Sequence, residues 1–285
     1  MLAVFTGLAA LLISPIPSPH PGAKPLPAGP SAALAAGKTQ TVFLPLIFRP
    51  AAAMPVASSD LPVRSFEQRV LESVNTIRMA RGLAPLRLTR ELDQAAQSHS
   101  QDMADHNTLS HSGTDGSSPW ERFRKVGYAM AYGGENIAAG APGDPERIVN
   151  AWMASDGHRA NILNGNYAET GAGYAYNASS DGAYWTQDFG SRAGVLPVVI
   201  NGDALIASSH VVTLYLYNDK GGGLSATDVM ISNEPGFVNK TWEPYRETRV
   251  WTLAPGTGWR TVYVQFRRVD GSTTQSSDDI FVKAP

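Results

Sequence analysis

From Ser65 onward the chain alternates apolar and polar residues with a helical period. Phe66, Val70, Val74 and Ile77 recur on one face, and Gly82 stands where a left-handed residue ends a helix. A second helix opens with Thr89 as its N-cap and carries Leu92, Ala95, Ala96, His99 and Met103 on one face. Ser118-Pro119-Trp120-Glu121 combines a capping box with proline at the first helical position, and the helix it starts stops at Gly127. Asp144-Pro145 opens a fourth helix that must bury Ile148, Val149 and Trp152, and Ser155 caps a short fifth one. Two strand-like runs follow at residues 170–176 and 183–189, joined by a turn-rich stretch. Helices first and an antiparallel pair after them predict an α+β layered fold at residues 65–192, not a βαβ repeat.

Beyond Gly194 the period becomes two. Val212, Leu214 and Leu216 alternate with Thr213, Tyr215 and Tyr217, and Val262, Val264 and Phe266 alternate with Tyr263, Gln265 and Arg267. Further short runs near 229–231, 249–253 and 280–282 predict a small all-β sandwich over residues 195–285. In general pattern it resembles an immunoglobulin-like or fibronectin-type-III-like module. Ahead of the helices, residues 2–13 are mostly apolar, shorter than the roughly 20 residues a membrane-spanning helix needs. They suit a signal peptide ending near residue 30, which makes the protein secreted. Residues 31–64 read as a Pro/Ala-rich stalk: ten of the twenty prolines, but only four charged residues, fall within the first sixty positions. Residues 41–48 form an apolar island in which Pro45 argues against a central strand.

Composition narrows the chemistry. The balance of 23 basic and 25 acidic residues shows no basic block, so a nucleic-acid partner is not expected. The absence of cysteine removes disulfides, thiolate metal ligands and thiol nucleophiles together. A transition-metal site must then be built from His with Asp or Glu, and no HExxH-type pair lies within one helix.

Each candidate has an ordinary reading beside a chemical one. His99 lies on the apolar face of its helix and reads as a core histidine, so its loss should leave a metal site intact. His106 suits the C-terminal end of the helix dipole, His111 a polar turn, and Glu121 the N3 position of the capping box. Glu135 stands apart, a carboxylate between the flexible entry Gly133-Gly134 and the apolar run from Ile137. With Ser155 as N-cap, His158 falls at N3, where the dipole disfavours protonation and keeps the imidazole neutral.

Ordered boxes then tie these residues together. Gly134-Glu135-Asn136-Ile137-Ala138, Gly157-His158-Arg159-Ala160-Asn161-Ile162-Leu163, Ser110-His111-Ser112-Gly113 and Tyr184-Trp185-Thr186-Gln187-Asp188-Phe189-Gly190 resemble the CAP superfamily (SCP domain) in its bacterial, cysteine-free form. That resemblance implies a three-layer α–β–α sandwich and a cleft formed by His111, Glu121, Glu135 and His158. It implies divalent metal, such as zinc, at His111 and His158, and a ligand that is a lipid, an envelope glycan or a peptide. A rival function is a metal-dependent extracellular hydrolase, a protease or nuclease, with Glu135 as base. A third is adhesion or glycan binding through the sandwich, with Tyr215, Tyr217, Trp242, Tyr245, Trp251 and Trp259 as an aromatic platform.

Overall fold

A computed structural model describes residues 61–62, 65–140, 144–179, 182–218 and 225–283. The expected signal peptide, the apolar island at 41–48 and all of the stalk but Leu61 and Pro62 lie outside the described residues.

Helix starts follow local capping chemistry. Helix α1 (Phe66–Met79) begins where Ser65 Oγ accepts from the Gln68 amide. Helix α2 (Arg90–His106) follows Thr89 and ends at Asn107, which takes the left-handed conformation. Helix α3 (Pro119–Lys125) shows both arms of the capping box, and α4 (Pro145–Ala154) starts on the Asp144 carboxylate, which accepts from two amides. Helix α5 (Asp156–Ile162) follows Ser155.

Four strands make the sheet between them: β1 (Arg87–Leu88), β2 (Tyr132–Gly140), β3 (Glu169–Asn177) and β4 (Gly182–Ser191), in the order β1-β3-β4-β2. The pair expected from sequence is β3 and β4, and β2 joins β4 antiparallel along its whole length. One sheet face carries Ala138, Ala172, Trp185 and Phe189 against α1, α4 and α5; the other carries Ile137, Ala175 and Tyr184 against α2. The three-layer α–β–α sandwich is therefore present. Helix α2 lies very close to β3, because a Cβ at Gly171 or Gly173 would collide with the helix backbone at Leu92 or Ala96.

The remaining strands are β5 (Val198–Ile200), β6 (Ile206–Ala207), β7 (Val211–Leu216), β8 (Ala226–Ser232), β9 (Glu243–Pro244), β10 (Thr248–Thr252), β11 (Gly258–Arg268) and β12 (Thr273–Val282). They form a sheet β10-β7-β5 and a sheet β6-β12-β11-β8-β9. Alternate residues of both, among them Leu214, Leu216, Val229, Val264, Phe266 and Ile280, fill one core. The all-β C-terminal layer pair is thus observed, and its kinship to immunoglobulin-like modules stands as a resemblance of pattern.

The sequence suggests two units joined near residue 194, whereas the described residues form one compact unit. The turn after β5 docks on α1: Asn75 Nδ2 donates to Gly202 O at 2.8 Å and Gln68 Nε2 to Asp203 O at 2.6 Å. Asp203 accepts the Leu88 amide at 2.8 Å, and the Tyr217 hydroxyl donates to Pro85 O at 2.6 Å. Leu196 is buried, so the junction is covered.

Asp278 sits behind this seam. It accepts the Ile200 amide at 2.8 Å, and burial, then the Asp203 carboxylate, push it up to about 8. Its folded value exceeds its unfolded one, so the folded state binds the extra proton between about pH 4 and pH 8 and loses stability as pH rises through that window. Asp278→Asn keeps the acceptor and removes the titration. Urea unfolding should show the variant gaining on the wild type as pH rises from 5 to 8; parallel profiles would contradict the assignment.

Candidate functional site

The site is built around the outer strand β2 where α3, α5 and the turn after α2 meet. Glu135 points to the α2 side of the sheet and its side chain is fully buried. His111 Nδ1 lies 2.6 Å from Glu135 Oε1, and Arg122 donates to Glu135 Oε2, also at 2.6 Å. A carboxylate only accepts, so neutral His111 carries its proton on Nδ1 and presents a bare Nε2, which is buried and unpartnered. Burial alone would raise Glu135, but the His111 hydrogen bond and the Arg122 charge outweigh it and hold the group below the usual carboxylate range.

The turn carrying His111 is clamped from three sides. Arg122 donates to His111 O and Ser117 O, His99 Nε2 to Ser110 O at 2.8 Å, and Asp102 accepts from the Thr114 amide and hydroxyl. His99 is buried in the core as expected, yet its ring also fixes the backbone next to His111.

His158 is at N3 of α5, and both its ring nitrogens are buried without a partner. Its value falls to about 4, in the expected direction, with burial as the main cause and His111 as the second. Asn161 of α5 donates to Glu135 O on the free edge of β2 and to Asn136 Oδ1, and Asn136 donates to His158 O. These bonds lock α5 to the strand. Gly133 and Gly134 are not a flexible entry: a Cβ at Gly133 would lie 2.6 Å from the Trp120 ring, and one at Gly134 would strike the Tyr167 hydroxyl.

His111, Glu135 and His158 are therefore brought to one place, and Glu121 is not joined to them by any contact among the described residues. Its carboxylate accepts from the Ser118 amide and hydroxyl at 2.8 Å each, the capping-box task, and the side chain is exposed. Glu121→Gln should lower thermal stability slightly and leave the His111 and His158 environments unchanged in NMR spectra. Displaced imidazole resonances would return Glu121 to the cleft.

The residues fit a metal in part. Bare imidazole nitrogens on His111 and His158 are suitable donors. No group of three or more His, Asp or Glu side chains is arranged to hold a metal ion among the described residues. Both Glu135 oxygens are engaged, Oε1 by His111 and Oε2 by Arg122. Glu135 orients His111 instead. The same engagement counts against Glu135 as a free base.

Two residues at this site carry no role in the sequence reading: Arg122, and Asp188 on β4. Each had a signal, since Arg122 lies on the buried side of a short helix and Asp188 alternates inward with Thr186 and Tyr184. The proposed aromatic platform is dispersed. Tyr217 is buried at the seam, Tyr245 and Trp251 pack on the sandwich core, and Trp242 lies under Arg267. Trp259 stacks edge-on against Phe281, and Tyr215 meets Glu247.

A three-layer α–β–α domain in which His111, Glu135 and His158 come together, in a chain with no cysteine, defines the class. Residues 71–189, which contain no cysteine, match the sequence model of the cysteine-rich secretory protein family, CAP, so this segment of the chain is a CAP domain. The uncharacterized Bacillus subtilis protein YkwD is 39% identical over 132 residues, 46% of this chain and 49% of YkwD. The uncharacterized membrane protein YlbC of the same organism is 33% identical over 126 residues, 44% of this chain and 34% of YlbC. The chain thus spans half or less of the length of these curated relatives. A solved extracellular SCP-domain protein from Bacillus anthracis is 29% identical with a TM-score of 0.41, covering 45% of this chain and 40% of that one. No helix among the described residues is long and apolar enough to cross a membrane.

Proposed function

We propose that this chain is an exported binding protein whose CAP cleft takes a divalent metal on His111 and His158 and, beside it, an extracellular ligand: a lipid, an envelope glycan or a peptide. The observation that carries this reading is the set of buried, unpartnered imidazole nitrogens on two histidines that flank an ionised carboxylate. Leaving such atoms unpaired costs on the order of 1–3 kcal/mol each, an expense that a bound ion or ligand group offsets. A bound divalent ion would supply a Lewis acid and a place for water. His111 offers a bare Nε2 and neutral His158 one bare ring nitrogen, Glu135 sets the His111 tautomer, and Arg122 keeps Glu135 ionised and in place. Because Glu135 is pinned by two donors, binding is favoured over hydrolysis. Export is supported by the apolar and then Pro-rich N-terminal sequence.

The experiment is metal analysis of the purified full chain after dialysis against zinc, followed by lipid, glycan and peptide binding screens with and without the metal. One retained equivalent and a metal-dependent ligand support the reading. No retained metal and no ligand in any screen overturn it, and turnover of a peptide or nucleic acid would move the protein to the hydrolase class.

A further inference from the structure

Asp188, buried beside Glu135, has no task in the reading above. Asp188 of β4 is the registered neighbour of Glu135 of β2, on the face that α2 covers, and it is fully buried. Neither of its carboxyl oxygens receives a hydrogen bond among the described residues. Its registered neighbour on the other side is Gly171 of β3, which has no side chain to offer a donor. Two ionised carboxylates cannot lie side by side in a buried site unless a proton or a cation stands between them. The nearby cation Arg122 is already placed on Glu135 Oε2 and on the backbone of the His111 turn.

We propose that Asp188 is a neutral carboxylic acid whose O–H donates to the Glu135 carboxylate, and that it is the positioning residue holding Glu135 against His111. A carboxylate has about four lone-pair sites, so Glu135 can accept from Asp188 as well as from His111 and Arg122. The charged groups facing Asp188 agree with this: Glu135 and Asp93 oppose its ionisation, and Arg122 favours it. Burial, and next the Glu135 charge, push Asp188 well above the usual carboxylate range. The proposal deepens the cleft reading and rests on it for the use to which a fixed His111 is put.

The test uses the metal-free full chain, so its failure and a failure of metal binding are separate results. Infrared spectra at neutral pH should show a protonated-carboxyl band in the wild type that is lost in Asp188→Asn; the buried acid of Asp278 contributes to both spectra and cancels in their difference. The asparagine amide replaces the acid as donor, so the hydrogen-bonded Nδ1 proton of His111 should keep its NMR position in that variant. Asp188→Val leaves no donor, and the same resonance should shift or disappear. An acid band that survives Asp188→Asn, or a His111 resonance that is the same in the valine and asparagine variants, overturns the assignment. If the valine variant does not fold, the infrared comparison decides alone.

Discussion

Zinc titrated calorimetrically into the full chain is expected to fill one site, and the site should be lost in His111→Ala and in His158→Ala. Each substitution removes one of the two imidazoles that have buried, unpartnered ring nitrogens. Glu135→Gln should weaken binding by about 10–100-fold without abolishing it, because Glu135 acts by orienting His111 and not as a ligand. His106 and His210 are the appropriate controls. His106 is exposed on the end of α2 and His210 lies in the sandwich, where its ring meets Gly256 O. His99 is not a neutral control, although a core position suggests one. Its ring holds Ser110 O, so His99→Ala should loosen the His111 turn and weaken zinc at second hand. Unchanged affinity in the His111/His158 double variant would remove the metal from the cleft and leave the fold assignment standing.

How much of this was legible from sequence depends on how local the determining interactions are. Helix starts were readable because caps are local: Ser65, Ser118 and Asp144 each accept from amides two or three residues on. Strand β2 was not, since Gly-Gly-Glu-Asn-Ile-Ala-Ala-Gly has little β propensity and becomes a strand through its pairing with β4. The long β12 begins with Thr-Thr-Gln-Ser-Ser-Asp-Asp and is likewise held by β11. The seam escaped notice because its bonds run from α1 and β1 to groups well over one hundred residues away, as between Gln68 and Asp203 O and between the Leu88 amide and the Asp203 carboxylate. Within the site, His111, Glu135 and His158 were reached by resemblance and the capping role of Glu121 by spacing. Arg122 and Asp188 act through contacts that only the folded sheet creates.

Arg122 is where those contacts carry the largest stability effect. Its guanidinium is buried and makes four bonds: to Glu135 Oε2, to Ser117 O, and from both terminal nitrogens to His111 O. Arg122→Leu keeps much of the apolar volume but leaves Glu135 as a buried charge without its cation, a change that costs about 3–5 kcal/mol in comparable buried pairs. Glu135 in the wild type is depressed, so its contribution is present above the unfolded carboxylate range and is lost as pH falls through the folded value. In the leucine variant Glu135 should take up a proton at higher pH, which relieves the uncompensated charge. The stability difference between wild type and variant should therefore be greatest near neutral pH and shrink on acidification towards pH 4, read as urea midpoints across that range. Arg122→Lys should recover the charge but not the fork on His111 O, giving an intermediate loss. A difference that stays constant with pH would mean that the penalty comes from the broken backbone bonds at Ser117 and His111, and that Arg122 does not set the charge of Glu135.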